Sequence, residues 1–191
     1  MGNEVAENRR VWTIGHSNHS LDEFLRLLQQ DPIITHLIDI RTTPQSSYSP
    51  HFNGPLLRDA LQKIDVNYVH LIGLGGRPDQ DFCYASDGRV IYDEMETTPQ
   101  YKRDLLALEH NIKDKNCVIM CSCGAPENCH RNLSISYVLK EHGFEVIDIL
   151  PSGERRASKP PIVEPALFGS GEVRKSKLPV RQNTQQSNSS H

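Results

Sequence analysis

Residues 11–41 read VWTIGHSNHSLDEFLRLLQQDPIITHLIDIR, and they decide the fold. VWTIGHS, 11–17, is a short apolar run that ends in a turn at Gly15, the pattern of a buried strand. In SLDEFLRLLQQ, Ser20 stands at an N-cap position with Glu23 three residues on, the capping-box spacing. Leu21, Phe24, Leu25 and Leu28 share one helical face. ITHLIDIR, 34–41, is a second strand. Strand, capped helix and strand make a βαβ unit, so the two strands are expected as parallel neighbours joined by a right-handed crossover.

The same alternation continues outward. TTPQSSYSPHFNGP, 42–55, is a loop, LLRDALQKID, 56–65, a second amphipathic helix, and VNYVHLIGLGG, 66–76, a third strand entering a glycine turn. Residues 77–98 read as a long irregular insertion containing Cys83 and Tyr84, and loops of that length in compact domains are usually functional or mobile. TPQYKRDLLALEHNI, 98–112, is a third helix. NCVIMCSCG, 116–124, is apolar up to Cys121, which predicts a central strand of a parallel sheet. HRNLSISYVLKEHG, 130–143, is a fourth helix closed by Gly143, and FEVIDIL, 144–150, the last strand. The expectation is a single α/β domain in βαβαβαβαβ order, with a mostly parallel sheet and helices on both faces. Residues 1–10 are expected to be disordered, 11–150 to fold, and 151–191, rich in Pro, Ser, Gln and Asn, to be a flexible, mildly basic tail.

Composition narrows the function. The chain has 191 residues and a net charge of -3. The segment 151–191 carries seven Lys/Arg against three acids, or +4, which leaves -7 for the preceding body. An acidic body is unlike a dedicated DNA-binding domain, so nucleic-acid contact is a weak possibility confined to the tail. No run of eighteen apolar residues predicts a membrane span. MGNEVAENRR lacks the apolar core of a secretory signal. Five cysteines, an odd count, fit a reducing cytoplasm better than a disulfide framework.

In open parallel sheets ligands bind beyond the carboxyl ends of the strands. Gly15-His16-Ser17, Asp39-Ile40-Arg41, Gly73 to Arg77, the loop through Cys83 and Tyr84, and CSCGAPENCHR, 121–131, all fall there. The last segment joins an apolar strand to a helix start, where a thiol is acidified and an anion is favoured. Arg131 adds a bidentate fork for a phosphate, carboxylate or sulfur oxyanion. Packed, inert cysteines and a surface arginine are the plainer explanation. Cys121, Cys123, Cys129 and His130 number enough for tetrahedral zinc, but their spacing is uncommon and the adjacent Cys129 and His130 point apart, so no metal is assigned. Asp39 and Arg41 either pair with each other at the sheet end, or Asp39 orients Arg131 or His130. His16 is an acid/base candidate or a turn residue.

The segments TIGHSNHSLDEFLRLL, LIDIRTTPQSSYSPHFN, YVHLIGLGGRP, CYASDGRVIY and VIMCSCGAPENCHRNLSISYVLKEHGFEVIDI resemble, in order, those of domain-of-unknown-function family 488, over about residues 11–150. The resemblance implies a single-domain α/β fold with a site near His16, Ser17, Asp39, Arg41, Cys121, Cys129, His130 and Arg131. It brings no settled activity. Ser47 stands where many members carry a basic residue, and Cys123 is a thiol beyond the usual C…CHR pattern. A more distant likeness, in architecture only, is to rhodanese and cysteine-phosphatase domains, although the step from Cys121 to Arg131 is longer than their compact loops.

The expected function is a cytoplasmic enzyme acting on a small anionic substrate: phosphorylated, nucleotide or sulfur-containing. Its catalytic candidates are Cys121, Cys129, His130, His16 and Asp39, and its binding candidates Gly15, Ser17, Arg41, Arg77, Tyr84 and Arg131. The rival expectations are a nucleotide or nucleic-acid-end binding module and a zinc-stabilised adaptor. The sequence identifies no cofactor and no oligomeric state.

Overall fold

The computed structural model describes residues 9–160 together with the backbone pairs 164–165 and 172–173. Its centre is a six-stranded sheet. The strands are β1 (Arg10–Gly15), β2 (His36–Asp39), β3 (Asn67–His70), β4 (Cys117–Cys121), β5 (Glu145–Ile149) and β6 (Arg155–Ala157). The spatial order is β3-β2-β4-β1-β5-β6, parallel throughout except for β6, which runs antiparallel to β5. Glu164–Pro165 and Glu172–Val173 form a separate two-stranded antiparallel pair, β7 and β8.

The first expectation to be corrected is adjacency. β1 and β2 lie in one sheet and are both parallel to β4, but β4 is inserted between them, with Gly15 paired to Cys121 on one side and Asp39 to Met120 on the other. The reason lies in β4 itself. Cys117, Val118, Ile119, Met120 and Cys121 are all fully buried, and only a central position keeps both of a strand's faces and both its edges out of water.

Helices α1 (Leu21–Leu28), α2 (Gly54–Gln62), α3 (Tyr92–Met95), α4 (Pro99–Asp114) and α5 (Tyr137–Glu141) fill the connections. Ser20 caps α1 by accepting from the Glu23 amide, and Thr98 caps α4 by accepting from the Tyr101 amide. A π-helical turn, Arg131–Ser136, precedes α5. Successive residues of each strand enter different cores. Val11, Ile38, Ile119 and Cys121 join α4, α5 and the π-turn through Leu108, Leu139 and Leu133. Trp12, Leu37, Val118 and Met120 join α1 and α2 through Phe24, Leu28, Leu57 and Leu61.

Three boundaries also move. The described chain reaches two residues into the expected N-terminal disorder, because the Arg9 carbonyl accepts from the Glu145 amide and Arg10 opens β1 and pairs with the Glu145 carboxylate, while residues 1–8 lie outside the described residues. The insertion 77–98 is built rather than irregular. It holds a 3-10 turn at Asp81–Cys83, a bridge from Tyr84 to Val90 and helix α3, and it contributes Cys83, Val90, Tyr92 and Met95 to the core. The sheet also continues past Leu150. β6 covers the edge of β5, and Ser158 Oγ donates to Asn132 Oδ1 at 3.0 Å. Most of the segment expected to be a flexible tail lies outside the described residues. Among the described residues no helix is long and apolar enough to cross a membrane.

Candidate functional site

β1, β2 and β4 end side by side, and the chain leaving β4 joins a different core from the chains leaving β1 and β2. Such a switch point opens a crevice at the carboxyl ends of the strands. The loop after β4 lies across this point. His16 and Ser17 amides donate to the carbonyls of Cys121 and Ser122 at 2.9 and 3.1 Å, extending the β1–β4 ladder. A Cβ on Gly15 would lie 1.6 Å from the Cys123 carbonyl oxygen, so the close approach of the loop requires glycine there. Ser17 adopts φ +45, a left-handed conformation uncommon for a non-glycine residue, and the Cβ position of Gly124 falls 2.7 Å from its hydroxyl.

Three thiols converge in this loop. Cys121 Sγ lies 3.1 Å from Cys129 Sγ, and the Sγ atoms of Cys121, Cys123 and Cys129 are all within 4.8 Å of one another. Cys121 and Cys129 are buried, whereas Cys123 is exposed. All three are free thiols. The Cys123 amide donates to Cys121 Sγ at 3.4 Å, and the Arg131 amide to Cys129 Sγ at 3.4 Å. Arg131 itself is fully buried and its Nη1 donates to Cys121 Sγ at 3.1 Å. Its Nε and Nη2 have no hydrogen-bond partner among the described residues.

This packing separates the thiols electrostatically. Burial alone would raise the Cys121 pKa. Hydrogen bonds from Cys123 and Cys129, with the charges of Arg131 and His130, outweigh it and hold the thiol well below its ordinary value. The same hydrogen bonds make the neighbours donors: Cys123 is pushed up to about 11, and Cys129 is driven well above the ordinary thiol value. Cys121 is therefore the sulfur whose ionisation this cluster favours, with two thiols and an arginine directed at it. Cys121 sits at the strand end rather than at the helix start, and donors from Cys123 and Cys129, with the buried guanidinium of Arg131, converge on its sulfur. Burial lowers the Arg131 pKa, but the charges on Cys121 and Asp148 outweigh this and raise it.

The remaining candidates divide. His130 is near the thiols, its Nδ1 3.6 Å from Cys129 Sγ, and burial lowers its pKa. Its ring packs on the glycine turn after β3, where a Cβ on Gly76 would meet it at 2.7 Å, so GLGGR and the cysteine loop do meet. His16 is stacked on Phe52 with ring centroids 4.5 Å apart, and its pKa is lowered chiefly by burial. Asp39 and Arg41 take the first of the two arrangements open to them. Arg41 Nε and Nη2 grip both Asp39 oxygens at 2.6 to 3.1 Å, and Nη2 also reaches the Phe52 carbonyl at 2.8 Å. No hydrogen bond joins Asp39 to Arg131 or His130 among the described residues. Arg77 is exposed and lines a small separate cleft with Thr42, Gly75 and Gln100. Tyr84 donates to the Pro78 carbonyl at 2.8 Å and its ring packs against the core on the α4 and α5 side. Sequence reasoning missed Tyr68, whose hydroxyl donates to Asp39 Oδ2 at 2.8 Å, and Phe52. Tyr68 carries no local signal, since only the parallel register of β2 with β3 brings it beside Asp39.

Neither the curated proteins nor the solved structures include a match to this chain. The scan of family models matches residues 20–138 to the family described as "Domain of unknown function DUF488". That span runs from the cap of α1 through β2, β3, β4 and the π-turn that carries Arg131 into the start of α5, and it covers more than half of the 191 residues. The chain that places a buried arginine on a strand-end cysteine therefore belongs to the DUF488 family.

Proposed function

We propose that this protein is a cytoplasmic enzyme acting on a small anionic substrate, phosphorylated or sulfur-containing, at the carboxyl ends of β1, β2 and β4. The observation that supports this reading is Arg131: a fully buried guanidinium with one N–H on Cys121 Sγ and two nitrogens left unpartnered among the described residues. Guanidinium keeps its charge at any pH a protein survives, and a buried one with free N–H groups favours a second anion beside it. In this reading Cys121 is the nucleophile, Arg131 receives the substrate's anionic group, and His130 or His16 moves the proton. Asp39 with Arg41 holds the end of β2 in place. Cys121 is screened from solvent by the loop carrying Cys123, so substrate access requires that loop to lift.

The test is a turnover screen of the reduced full-length chain with phosphate monoesters, nucleotides and thiosulfate-type sulfur anions. One substrate class is expected to turn over, and Cys121→Ser should abolish that turnover while circular dichroism shows the fold intact. Unchanged turnover in Cys121→Ser removes the thiol role. Turnover of none of these classes overturns the substrate assignment.

A further inference from the structure

The three sulfurs form a set that a nucleophile does not need. One thiolate with its arginine suffices for attack, yet a second buried thiol lies at 3.1 Å and a third, exposed one closes a triangle with every Sγ separation within 4.8 Å. Tetrahedral zinc holds thiolates at about 2.3 Å, which sets neighbouring sulfurs roughly 3.8 Å apart. The separations here bracket that spacing, so small rotations about the cysteine side-chain bonds bring the three sulfurs onto one ion.

We propose that Cys121, Cys123 and Cys129 form a three-thiolate site for one zinc-class ion, with its fourth coordination position open. Three features of the fold favour it. First, Cys121 closes β4 and Cys129 precedes the π-turn, so two ligands come from ordered elements, and the third, Cys123, lies on the exposed loop through which an ion can arrive. Second, the charges balance. A divalent ion with three thiolates carries a net single negative charge, and the buried Arg131 guanidinium on Cys121 cancels it. Third, arginine and backbone N–H donors already point at ligand sulfurs, as outer-shell groups of thiolate sites do. His130 is not a member of the set: its Nδ1 approaches Cys129 alone, at 3.6 Å, which leaves the fourth position to water or to an anion. The set differs from the closed four-ligand clamp weighed from sequence because it keeps an open position, the hallmark of a reactive rather than a purely structural zinc.

A Cys121 thiolate bound to the ion is not free to attack, so this site and the nucleophile assignment describe metal-bound and metal-free protein, and the two can fail separately, since metal binding is measured without any substrate. The full chain, produced without a histidine tag, is stripped of metal under reducing conditions and titrated with Zn2+ against a chromophoric chelator, then with Co2+. We expect about one ion per chain and a Co2+ complex with sulfur-to-metal charge-transfer absorption. Cys123→Ser removes an exposed sulfur and leaves the core intact, and it should weaken Zn2+ binding by at least roughly tenfold. The proposal is overturned if the wild-type chain takes up no Zn2+, if Cys123→Ser binds as tightly as wild type, or if the Co2+ complex lacks the charge-transfer band.

Discussion

Arg131 Nη1 lies 3.1 Å from Cys121 Sγ, and neither residue is exposed to solvent. The two ends of this pair are not equivalent. Without the arginine, Cys121 can take up a proton and become neutral. Without the thiolate, Arg131 stays charged and buried. In metal-free protein Cys121→Ala is therefore expected to cost about 3–5 kcal/mol, and Arg131→Met less. The double variant should be more stable than Cys121→Ala alone. Urea denaturation of the three variants measures this, and strictly additive costs would remove the pair. Removing the arginine leaves the hydrogen bonds of Cys123 and Cys129, so ultraviolet titration should place the Cys121 thiolate at higher pH in Arg131→Met than in the wild-type chain.

Asp39 accepts from Arg41 through both oxygens and from the Tyr68 hydroxyl. The Arg41–Asp39 pair is buried at both ends. Asp39→Ala leaves Arg41 charged and without its carboxylate, for an expected loss of about 3–5 kcal/mol. Tyr68→Phe removes one donor from a carboxylate that keeps others, for about 1–2 kcal/mol. Chemical denaturation orders the two, and an equal or reversed order contradicts the network.

Gly15 and Gly143 are glycines for different reasons. At Gly15 a Cβ would collide with a backbone oxygen at 1.6 Å, while Gly143 has φ +84 and meets only the flexible end of Arg9 at 3.1 Å. Gly143→Ala should cost roughly 1–2 kcal/mol through its left-handed backbone. Gly15→Ala should cost about 3 kcal/mol or more and displace the loop. Melting temperatures with alkylation rates at Cys123 check both, and a Gly15→Ala protein with native stability and Cys123 reactivity contradicts the packing.

The chain should lose stability in alkali. Burial pushes Cys83 up to about 11 and Cys117 up to about 12, and burial with the Asp39 charge raises Tyr68 as well. Unfolded thiols titrate near about 8.5. Above that pH the native state binds more protons than the unfolded state, so unfolding free energy falls as pH rises. The stabilisation is fully present below about 8.5 and is lost progressively towards about 12. Urea midpoints measured between pH 8 and 11 should decline steadily, and Cys117→Ala should flatten the slope.

β6 ties the sheet edge to the helix that carries Arg131. Arg155 donates to the carbonyls of Leu27, Gln30 and Asp31, Arg156 pairs with Glu127, and Ser158 reaches Asn132. Ending the chain at Leu150 is therefore expected to lower the melting temperature and to speed alkylation of Cys129. A truncated chain that melts like the full one contradicts this role.

The sequence alone determined β1 to β5 and the main helices between them, and it drew the cysteine-loop candidates together. The helical spacing of Leu21, Phe24, Leu25 and Leu28, the cap Ser20 and the apolar run of β4 are short-range signals, written within a few residues of where they act, although the face that is buried is Phe24, Leu27 and Leu28. Cys121, Cys129, His130 and Arg131 were legible together for the same reason: one strand, one loop and one helix start carry them all. Tertiary structure alone decided the rest. It placed β4 between β1 and β2, gave Arg41 to Asp39 and Arg131 to Cys121, and brought Tyr68 and Phe52 to the strand ends. Strand order and ion-pair choice are settled by which distant surfaces exclude water best. That competition is among contacts dozens of residues apart, and no local pattern records its outcome.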